Sequence, residues 1–214
     1  MNFNNFLVIA SKIKNIPLPG ESSQIKMLPP SRIDFQVKYK EAIKQAKQSA
    51  VLALFYPDKY EQTKFALIQR KPYEGVHSGQ ISFPGGKLEK NDLNLEFTAK
   101  RETQEEIGIN KNNVEIVKKL TQIYIPPSNF AVQPFLGLLS QTPDFILEEA
   151  EVEEILEVSL VDFINDHSVV TKTVSTSYSR MAEVPAYYLN GHIVWGATAM
   201  MLSEVKDLIK IALY

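Results

Sequence analysis

GGKLEKNDLNLEFTAKRETQEEIGI, residues 85–109 of this 214-residue chain, carries the strongest signal of fold and function in the sequence. Its second half contains good helix formers and ends at Gly108, which predicts a helix that stops at this glycine. Glu102, Glu105 and Glu106 are spaced i, i+3 and i+4, so a helix places them on one face. Like charges at this spacing destabilise a helix by roughly 0.2–0.5 kcal/mol per pair. Because a hard divalent cation compensates for such carboxylates in a cleft, the stretch indicates an acidic metal site.

An EXXEE pattern alone is more often the solvated acidic face of a surface helix than a metal site. In this chain, however, Gly85 and Gly86 precede the pattern, and Gly86 lies fifteen residues before Arg101. At the other end, Gly108 follows Glu106 by two residues. With these flanks the stretch resembles the Nudix box, G-x5-E-x7-R-E-U-x-E-E-x-G-U, in which U is a bulky apolar residue.

The stretch departs from the Nudix box in its length and at two positions. The step from Gly86 to Arg101 is fifteen residues here and fourteen in the general pattern. Asp92 stands where the first Glu of the box is expected, and Thr103 replaces the bulky apolar residue. The extra residue and the Asp are both similar to the coenzyme A pyrophosphatase branch of the family. The central REXXEE is intact, which favours an enzyme over a ligand-binding module.

The segments on either side also resemble the coenzyme A pyrophosphatase branch. LIQRKPYEGVHSGQISFPGG, residues 67–86, is similar to the signature LLTxRS-x3-R-x3-G-x3-FPGG, and Arg70, Gly79 and the final FPGG keep its spacing. Lys71 replaces the Ser of this signature, and Gly75 stands where its second Arg is expected. Downstream, EVEEILEVSL and HIVWGATAMML resemble the same branch, so the resemblance spans about residues 49–205.

The resemblance implies a fold, a domain organisation and an activity. The fold is of the α+β class, the Nudix fold, with a mixed β-sheet sandwiched between helices (α/β/α). Residues 49–214 form the Nudix hydrolase domain, and residues 1–48 form an N-terminal helical extension or arm that packs on this core. The activity is metal-dependent cleavage of a pyrophosphate bond with Mg²⁺ or Mn²⁺. For coenzyme A the products are 3′,5′-ADP and 4′-phosphopantetheine.

The resemblance also implies roles for individual residues. Glu102, Glu105 and Glu106 are the expected metal ligands, and Arg101 is expected to orient them rather than to bind substrate. Glu102, Glu105 and Glu151, which opens the EVEEILEV stretch, are candidates to activate water; the sequence does not decide which carboxylate is the base. The expected substrate-binding residues are Arg70, Lys71, His77, Gly85, Gly86 and Lys87.

Composition excludes several other kinds of protein. Lys plus Arg number 23 and Asp plus Glu 25, a formal net charge of −2, so no overall basic field exists to bind nucleic acid or an anionic membrane. The chain has no cysteine and three scattered histidines, so oxygen ligands must dominate any metal site, which favours Mg²⁺ or Mn²⁺ over Zn²⁺. The N-terminus lacks the features of a signal peptide, and no apolar run approaches the ~20 residues of a membrane span. A cytoplasmic enzyme with a small-molecule nucleotide substrate is expected.

Hydrophobic periodicity predicts the remaining elements. A short amphipathic helix is expected over residues 1–15, and its apolar face suits a homodimer contact as well as packing on its own domain. Further helices are predicted over residues 38–47, 93–109 and 197–213. Strands are predicted over residues 49–57, 64–70, 79–86, 113–125, 131–139, 153–158, 182–189 and 192–195.

Three alternatives stay open at this point. Coenzyme A or a derivative is the expected substrate, and Gly75 in place of the signature Arg leaves ADP-ribose, NADH or another nucleoside diphosphate derivative as the alternative. A Nudix domain without turnover, acting as a ligand-sensing module, is disfavoured by the intact REXXEE and by the lack of a helix-turn-helix. An enzyme that removes RNA caps is disfavoured because no basic groove is evident.

Overall fold

The computed structural model describes residues 1–29, 40–72, 78–174 and 181–213. None of the helices within these ranges combines the length and the hydropathy needed to cross a membrane. The helices are α1 (Phe3–Ile13), α2 (Glu21–Gln24), α3 (Lys40–Gln45), α4 (Leu95–Ile107), α5 (Leu160–Ile164) and α6 (Gly196–Leu213). The strands are β1 (Lys47–Pro57), β2 (Thr63–Arg70), β3 (Ile81–Ser82), β4 (Gly85–Lys87), β5 (Val114–Lys119), β6 (Ile123–Ile125), β7 (Phe130–Leu139), β8 (Val152–Ser159), β9 (Val169–Val174), β10 (Ala182–Leu189) and β11 (His192–Val194).

A mixed sheet of eight strands forms the centre of the molecule. Five of its strands lie side by side in the order β3-β2-β1-β7-β5, while β4 pairs with β1, β6 with β7 and β8 with β2. β1 and β7 run parallel, and the other pairs of this sheet are antiparallel. A separate sheet has the order β11-β10-β9. The α+β class and the mixed sheet implied by the resemblance are confirmed.

β1 is apolar and buried from Ala50 to Pro57 because helices cover both faces of the sheet. Leu52 and Leu54 pack in one cluster with Ala99 and Ile107 of α4. The alternate residues, such as Phe55, pack in a second cluster with side chains of α1 and α6. Successive side chains of a strand point to opposite faces, so one continuous apolar strand serves two cores. The result is the predicted sandwich of helix, sheet and helix.

The amphipathic helix predicted at the N-terminus is confirmed as α1 and packs against the core of its own chain. Phe6 is fully buried, and its ring centroid lies 4.8 Å from that of Phe55. The Nζ of Lys118 on β5 donates to three carbonyls at the end of α1, those of Ile13, Lys14 and Ile16, at 2.7–3.0 Å. A cation at a helix C-terminus is stabilising. The division into residues 1–48 and 49–214 stays a prediction.

Two of the predicted strands are each broken into two. Residues 79–86 form β3 and β4, since Pro84 has no N–H to donate to a ladder and its carbonyl instead accepts from Leu52. Residues 113–125 form β5 and β6, and at the break the N–H of Thr121 turns to the buried carboxylate of Glu204. The prediction missed the short helices α2 and α5 and the exposed strand β9.

Candidate active site

α4 carries the acidic pattern and ends at Gly108 as the sequence predicts, but it begins at Leu95, two residues after the predicted start. The side chain of Asn94 caps its first turn by accepting from the N–H of Phe97 at 2.9 Å. Gly108 ends the helix with a left-handed φ of 77°. Thr103 is fully buried, and its hydroxyl donates to the carbonyl of Ala99 at 2.7 Å. This bond satisfies the hydroxyl, which explains how Thr replaces a bulky apolar residue there.

Glu106 is the buried member of the acidic pattern, with only 1% of its surface exposed. One oxygen, Oε2, accepts from the N–H of Gly85 at 2.7 Å, and Oε1 lies 3.3 Å from Nη2 of Arg70. Burial raises the pKa of Glu106 to about 8, although Arg70 and the Gly85 N–H oppose this rise. The charges of Glu102 and Glu151 raise the pKa further, so these carboxylates act on one another.

Glu102 lies one turn before Glu106, with its carboxylate against Gly86. A Cβ built on Gly86 would lie only 2.4 Å from Cδ of Glu102, so the missing side chain of this glycine provides the space for the carboxylate. Burial raises the pKa of Glu102; Arg101, whose Nη1 lies 3.0 Å from Oε1, lowers it, and Glu105 and Glu151 raise it. Gly85 therefore holds the carboxylate of Glu106 through its N–H, and Gly86 leaves space for the carboxylate of Glu102.

Arg101 is surrounded by acceptor oxygens of the protein. Its Nε and Nη2 donate to the two oxygens of Asp92 at 2.8 and 2.9 Å, and Nη2 also donates to the carbonyl of Lys87 at 3.1 Å. Nη1 donates to Glu105 at 2.7 Å. The Asp92 side chain is almost fully buried, and its hydrogen bond with Arg101 holds the pKa of Asp92 well below its usual range. Through these bonds Arg101 ties α4 to the loop before it.

Asp92 was not among the residues predicted for the site. The available signal was its place in the box, where the first Glu of the general pattern is expected. Its bidentate pairing with Arg101 shows that the shorter side chain, moved by one residue along the loop, still reaches the arginine. The lengthened box therefore contains an ion pair between Asp92 and Arg101.

The remaining predicted carboxylates lie at the rim of this cluster. Glu105 is 55% exposed at its side chain and pairs with Arg101. Glu151 lies in the turn before β8, where its carbonyl accepts from the N–H of Lys71 at 2.8 Å. Its charge raises the pKa of both Glu102 and Glu106, which places it within electrostatic range of them.

The cations predicted to bind substrate are spread around the cluster. Arg70 lies inside it, because its Nη2 also donates to the carbonyl of Gly85 at 2.7 Å. Lys71 is half-exposed, with its Nζ 3.0 Å from Glu153, and Lys87 is exposed at the end of β4. His77, like Gly75, lies outside the described residues.

The donor chemistry of the cluster fits an oxygen-liganded divalent cation. Within the described residues, no group of three His, Asp or Glu side chains already lies in metal-binding geometry. Glu102 and Glu106 nevertheless lie one turn apart beside two glycines. The pKa of each is raised, and the charge of Glu102 contributes to the rise at Glu106. Burial raises the pKa of both groups, so ionisation of the pair is disfavoured without a counter-charge, and a hard cation would supply one.

Comparison with known proteins identifies the family. The model of the NUDIX domain matches residues 46–172, more than half of the chain. The chain belongs to the Nudix family. It is 31% identical over 163 residues to the peroxisomal coenzyme A diphosphatase ndx-8 of Caenorhabditis elegans, covering 73% of this chain and 67% of that protein. It is 29% identical over 179 residues to an uncharacterized Nudix hydrolase, NudL, of Pectobacterium atrosepticum, covering 80% of this chain and 88% of that one.

A solved structure supports the fold. A MutT/nudix family protein from Enterococcus faecalis superposes with a TM-score of 0.53 at 15% identity, covering 92% of this chain and 76% of that chain. Nudix enzymes hydrolyse pyrophosphate bonds in small nucleotide substrates and generally use divalent metals. The resemblance seen in residues 85–109 is therefore confirmed at the level of family and reaction class.

The two glycines give a matched pair of substitutions. In Gly86→Ala the new Cβ meets the end of a flexible side chain, so we expect a folded protein whose Glu102 is displaced and whose turnover falls about 10²-fold. In Gly85→Ala the new Cβ would lie 2.3 Å from the Ala50 carbonyl oxygen and 2.6 Å from the Val51 Cα, so we expect a loss of about 4 kcal/mol or more in unfolding free energy. Urea unfolding and steady-state kinetics on both variants distinguish the two effects, and equal destabilisation by both would contradict this geometry.

The ion pair of Asp92 and Arg101 predicts a pH dependence of stability. Because the folded pKa of Asp92 is depressed, the pair stabilises the fold above the unfolded pKa of about 3.9, and this contribution is lost as the pH falls through the folded value. We expect Asp92→Asn to lower the unfolding free energy by about 1.5–3 kcal/mol at pH 7. The difference from the unaltered protein should narrow below pH ~4. Glu183→Gln, at an exposed position of β10, is the control; a deficit for Asp92→Asn that is the same at pH 7 and pH 3 would rule out the ionised pair.

Proposed function

We propose that this Nudix hydrolase cleaves the pyrophosphate bond of coenzyme A or its derivatives, giving 3′,5′-ADP and 4′-phosphopantetheine. The observation that carries the reaction class is the pair of carboxylates, Glu102 and Glu106, against Gly86 and Gly85. The substrate is supported by the signature around Arg70 and the FPGG segment, and by the similarity to the coenzyme A diphosphatase of C. elegans.

Glu102 and Glu106, with Glu105 as a third ligand, would hold the Mg²⁺ or Mn²⁺ ion of this enzyme. Such an ion, when bound, neutralises phosphate oxygens and lowers the pKa of coordinated water. Arg101 keeps Glu102 and Glu105 in place through Nη1, which lies 3.0 Å from Oε1 of Glu102 and donates to Glu105 at 2.7 Å, and its guanidinium stays charged at any working pH.

Proton removal from the attacking water falls to a carboxylate of the cluster. Glu102 and Glu151 are the candidates, since both lie within electrostatic range of Glu106. For Glu102, burial and the charges of Glu105 and Glu151 raise the pKa towards the working pH, which makes this carboxylate a better base than an isolated one. Lys71 and Lys87, both with accessible ammonium groups at the rim, are suited to hold the phosphates of the substrate.

A second candidate substrate class is another nucleoside diphosphate derivative, such as ADP-ribose or NADH. The observation that favours it is Gly75, which replaces the second Arg of the coenzyme A signature and so removes one phosphate partner. The same carboxylates would act on either substrate. The two candidate substrates therefore differ in the residues that bind them and not in the chemistry of cleavage.

A substrate panel tests the proposal. The protein is incubated with coenzyme A, acyl-coenzyme A, ADP-ribose, NADH and nucleoside triphosphates in the presence of Mg²⁺ or Mn²⁺, and the products are identified by mass. We expect 3′,5′-ADP and 4′-phosphopantetheine from coenzyme A, and a fall of about 10²–10⁴-fold in kcat for Glu102→Gln. Glu106→Gln should abolish turnover. Glu149→Gln, at an exposed position of the downstream acidic run, is the matched control and should keep full activity.

The panel separates the alternatives by product. Cleavage of ADP-ribose or NADH in preference to coenzyme A would transfer the assignment to the second class. Near-normal turnover by Glu106→Gln with Mg²⁺ would overturn the metal site, and no product from any substrate would favour a ligand-binding module.

A further inference from the structure

Arg70, the last residue of β2, closes a ring of hydrogen bonds around the buried carboxylate. Its Nη2 donates to the carbonyl of Gly85 at 2.7 Å and lies 3.3 Å from Oε1 of Glu106. The N–H of Gly85 donates to the other oxygen of Glu106 at 2.7 Å. The guanidinium therefore contacts both Glu106 and Gly85, the residue whose N–H also holds Glu106. These contacts join β2 to β4 and α4.

The backbone turns Arg70 towards this ring. Pairing of β2 with β8 shifts register between Gln69 and Arg70, and such a bulge redirects the side chain that follows it. The N–H of Arg70 donates to the carbonyl of Gln80 at 3.1 Å, which holds the strand end against the segment that leads to Gly85. The side chain is 26% exposed, so most of it lies within the protein.

Charge explains why a guanidinium is useful at this place. An ionised carboxylate buried without a counter-charge is strongly destabilising. Arg70 opposes the rise in the pKa of Glu106 and so favours the ionised form that can bind a cation. An ionised carboxylate offers about four lone-pair sites, so the bonds from Arg70 and Gly85 still leave room for a cation on Glu106.

We propose that Arg70 is a positioning residue, which neutralises and orients Glu106 and anchors Gly85, and that it is not a ligand of the substrate phosphates. The kinetic part of this inference rests on the proposed function, whereas the stability part does not. The two roles predict opposite kinetics. Loss of a positioning residue lowers kcat, because the carboxylate loses its alignment, whereas loss of a uniform substrate contact raises KM.

The test compares Arg70→Gln with Arg70→Lys, and with Lys64→Gln as a control that removes a charge from a partly exposed position of the same strand. In EDTA we expect Arg70→Gln to melt roughly 5–10 °C below the unaltered protein, because the Gly85 carbonyl and the buried Glu106 carboxyl both lose the donor Nη2 of Arg70. Addition of Mn²⁺ should recover part of this loss in Arg70→Gln, since a cation on Glu106 replaces the guanidinium charge. Lys64→Gln should melt like the unaltered protein in both conditions.

Kinetics on the preferred substrate completes the test. We expect kcat of Arg70→Gln to fall about 10²-fold with KM nearly unchanged, and Arg70→Lys to recover part of both kcat and melting temperature. Unchanged melting in EDTA, or a raised KM at unchanged kcat, would overturn the positioning role. If Arg70→Gln does not fold, the melting temperature, kcat and KM of Arg70→Lys are compared with those of the unaltered protein and test the positioning role instead.

A failure of the proposed function gives a different result from a failure of this inference. If the unaltered protein cleaves nothing in the panel, the assignment of substrate fails. The melting difference between Arg70→Gln and Lys64→Gln in EDTA then still supports or overturns the contact with Glu106.

Discussion

The buried carboxylate of Glu106 is the constraint on which the rest of the site depends. Removing a charged group from water is costly, and burial accordingly raises the pKa of Glu106 to about 8. The fold offsets it with one backbone N–H, from Gly85, and one guanidinium, from Arg70. Those two donors require β4 and the end of β2 to lie beside α4, which is the arrangement that the central sheet provides.

The loop between β3 and β4 is built to meet this requirement. The carbonyl of Pro84 accepts from the N–H of Leu52, which fixes the loop on β1. Gly85 then passes so close to the backbone of β1 that a side chain there would meet the Ala50 carbonyl. Gly86 leaves space for Glu102 in the same way. Two adjacent glycines thus serve different purposes, one against the sheet and one against the helix.

The two arginines divide the acidic side chains between them. Arg70 lies at the buried end, on Glu106, and Arg101 lies at the outer end, on Asp92 and Glu105. Between these two ends, Glu102 and Glu106 raise the number of acidic side chains in the cluster to four, with Asp92 and Glu105, against two arginines. This excess is local, because the whole chain carries a formal net charge of only −2. Affinity for an anionic substrate therefore does not need a basic surface if a divalent cation binds there.

The sequence predicted the parts of the site that depend on local spacing. The helix of residues 95–107, its end at Gly108 and the shared face of Glu102 and Glu106 all follow from helical periodicity. The pairing of Arg70 with Glu106 joins residues 36 apart through the sheet, and spacing alone does not contain that information. The same limit applies to the breaks within the strands over residues 79–86 and 113–125.

The packing of α1 is also tertiary information that residue spacing does not contain. Its amphipathic pattern was sufficient to predict a helix, and its structure confirms this. The pattern did not indicate which surface covers the apolar face, since a second subunit and the chain's own core present similar side chains. Only the tertiary arrangement, with Phe6 against Phe55, answers that question.

The most direct measurement is a crystal structure of the protein grown with Mn²⁺, examined by anomalous scattering at the manganese edge. We expect an anomalous peak about 2.0–2.2 Å from carboxylate oxygens of both Glu102 and Glu106, next to Gly86. A peak confined to another acidic segment, such as residues 148–157, or no peak at Glu102 and Glu106 at saturating Mn²⁺, would contradict it.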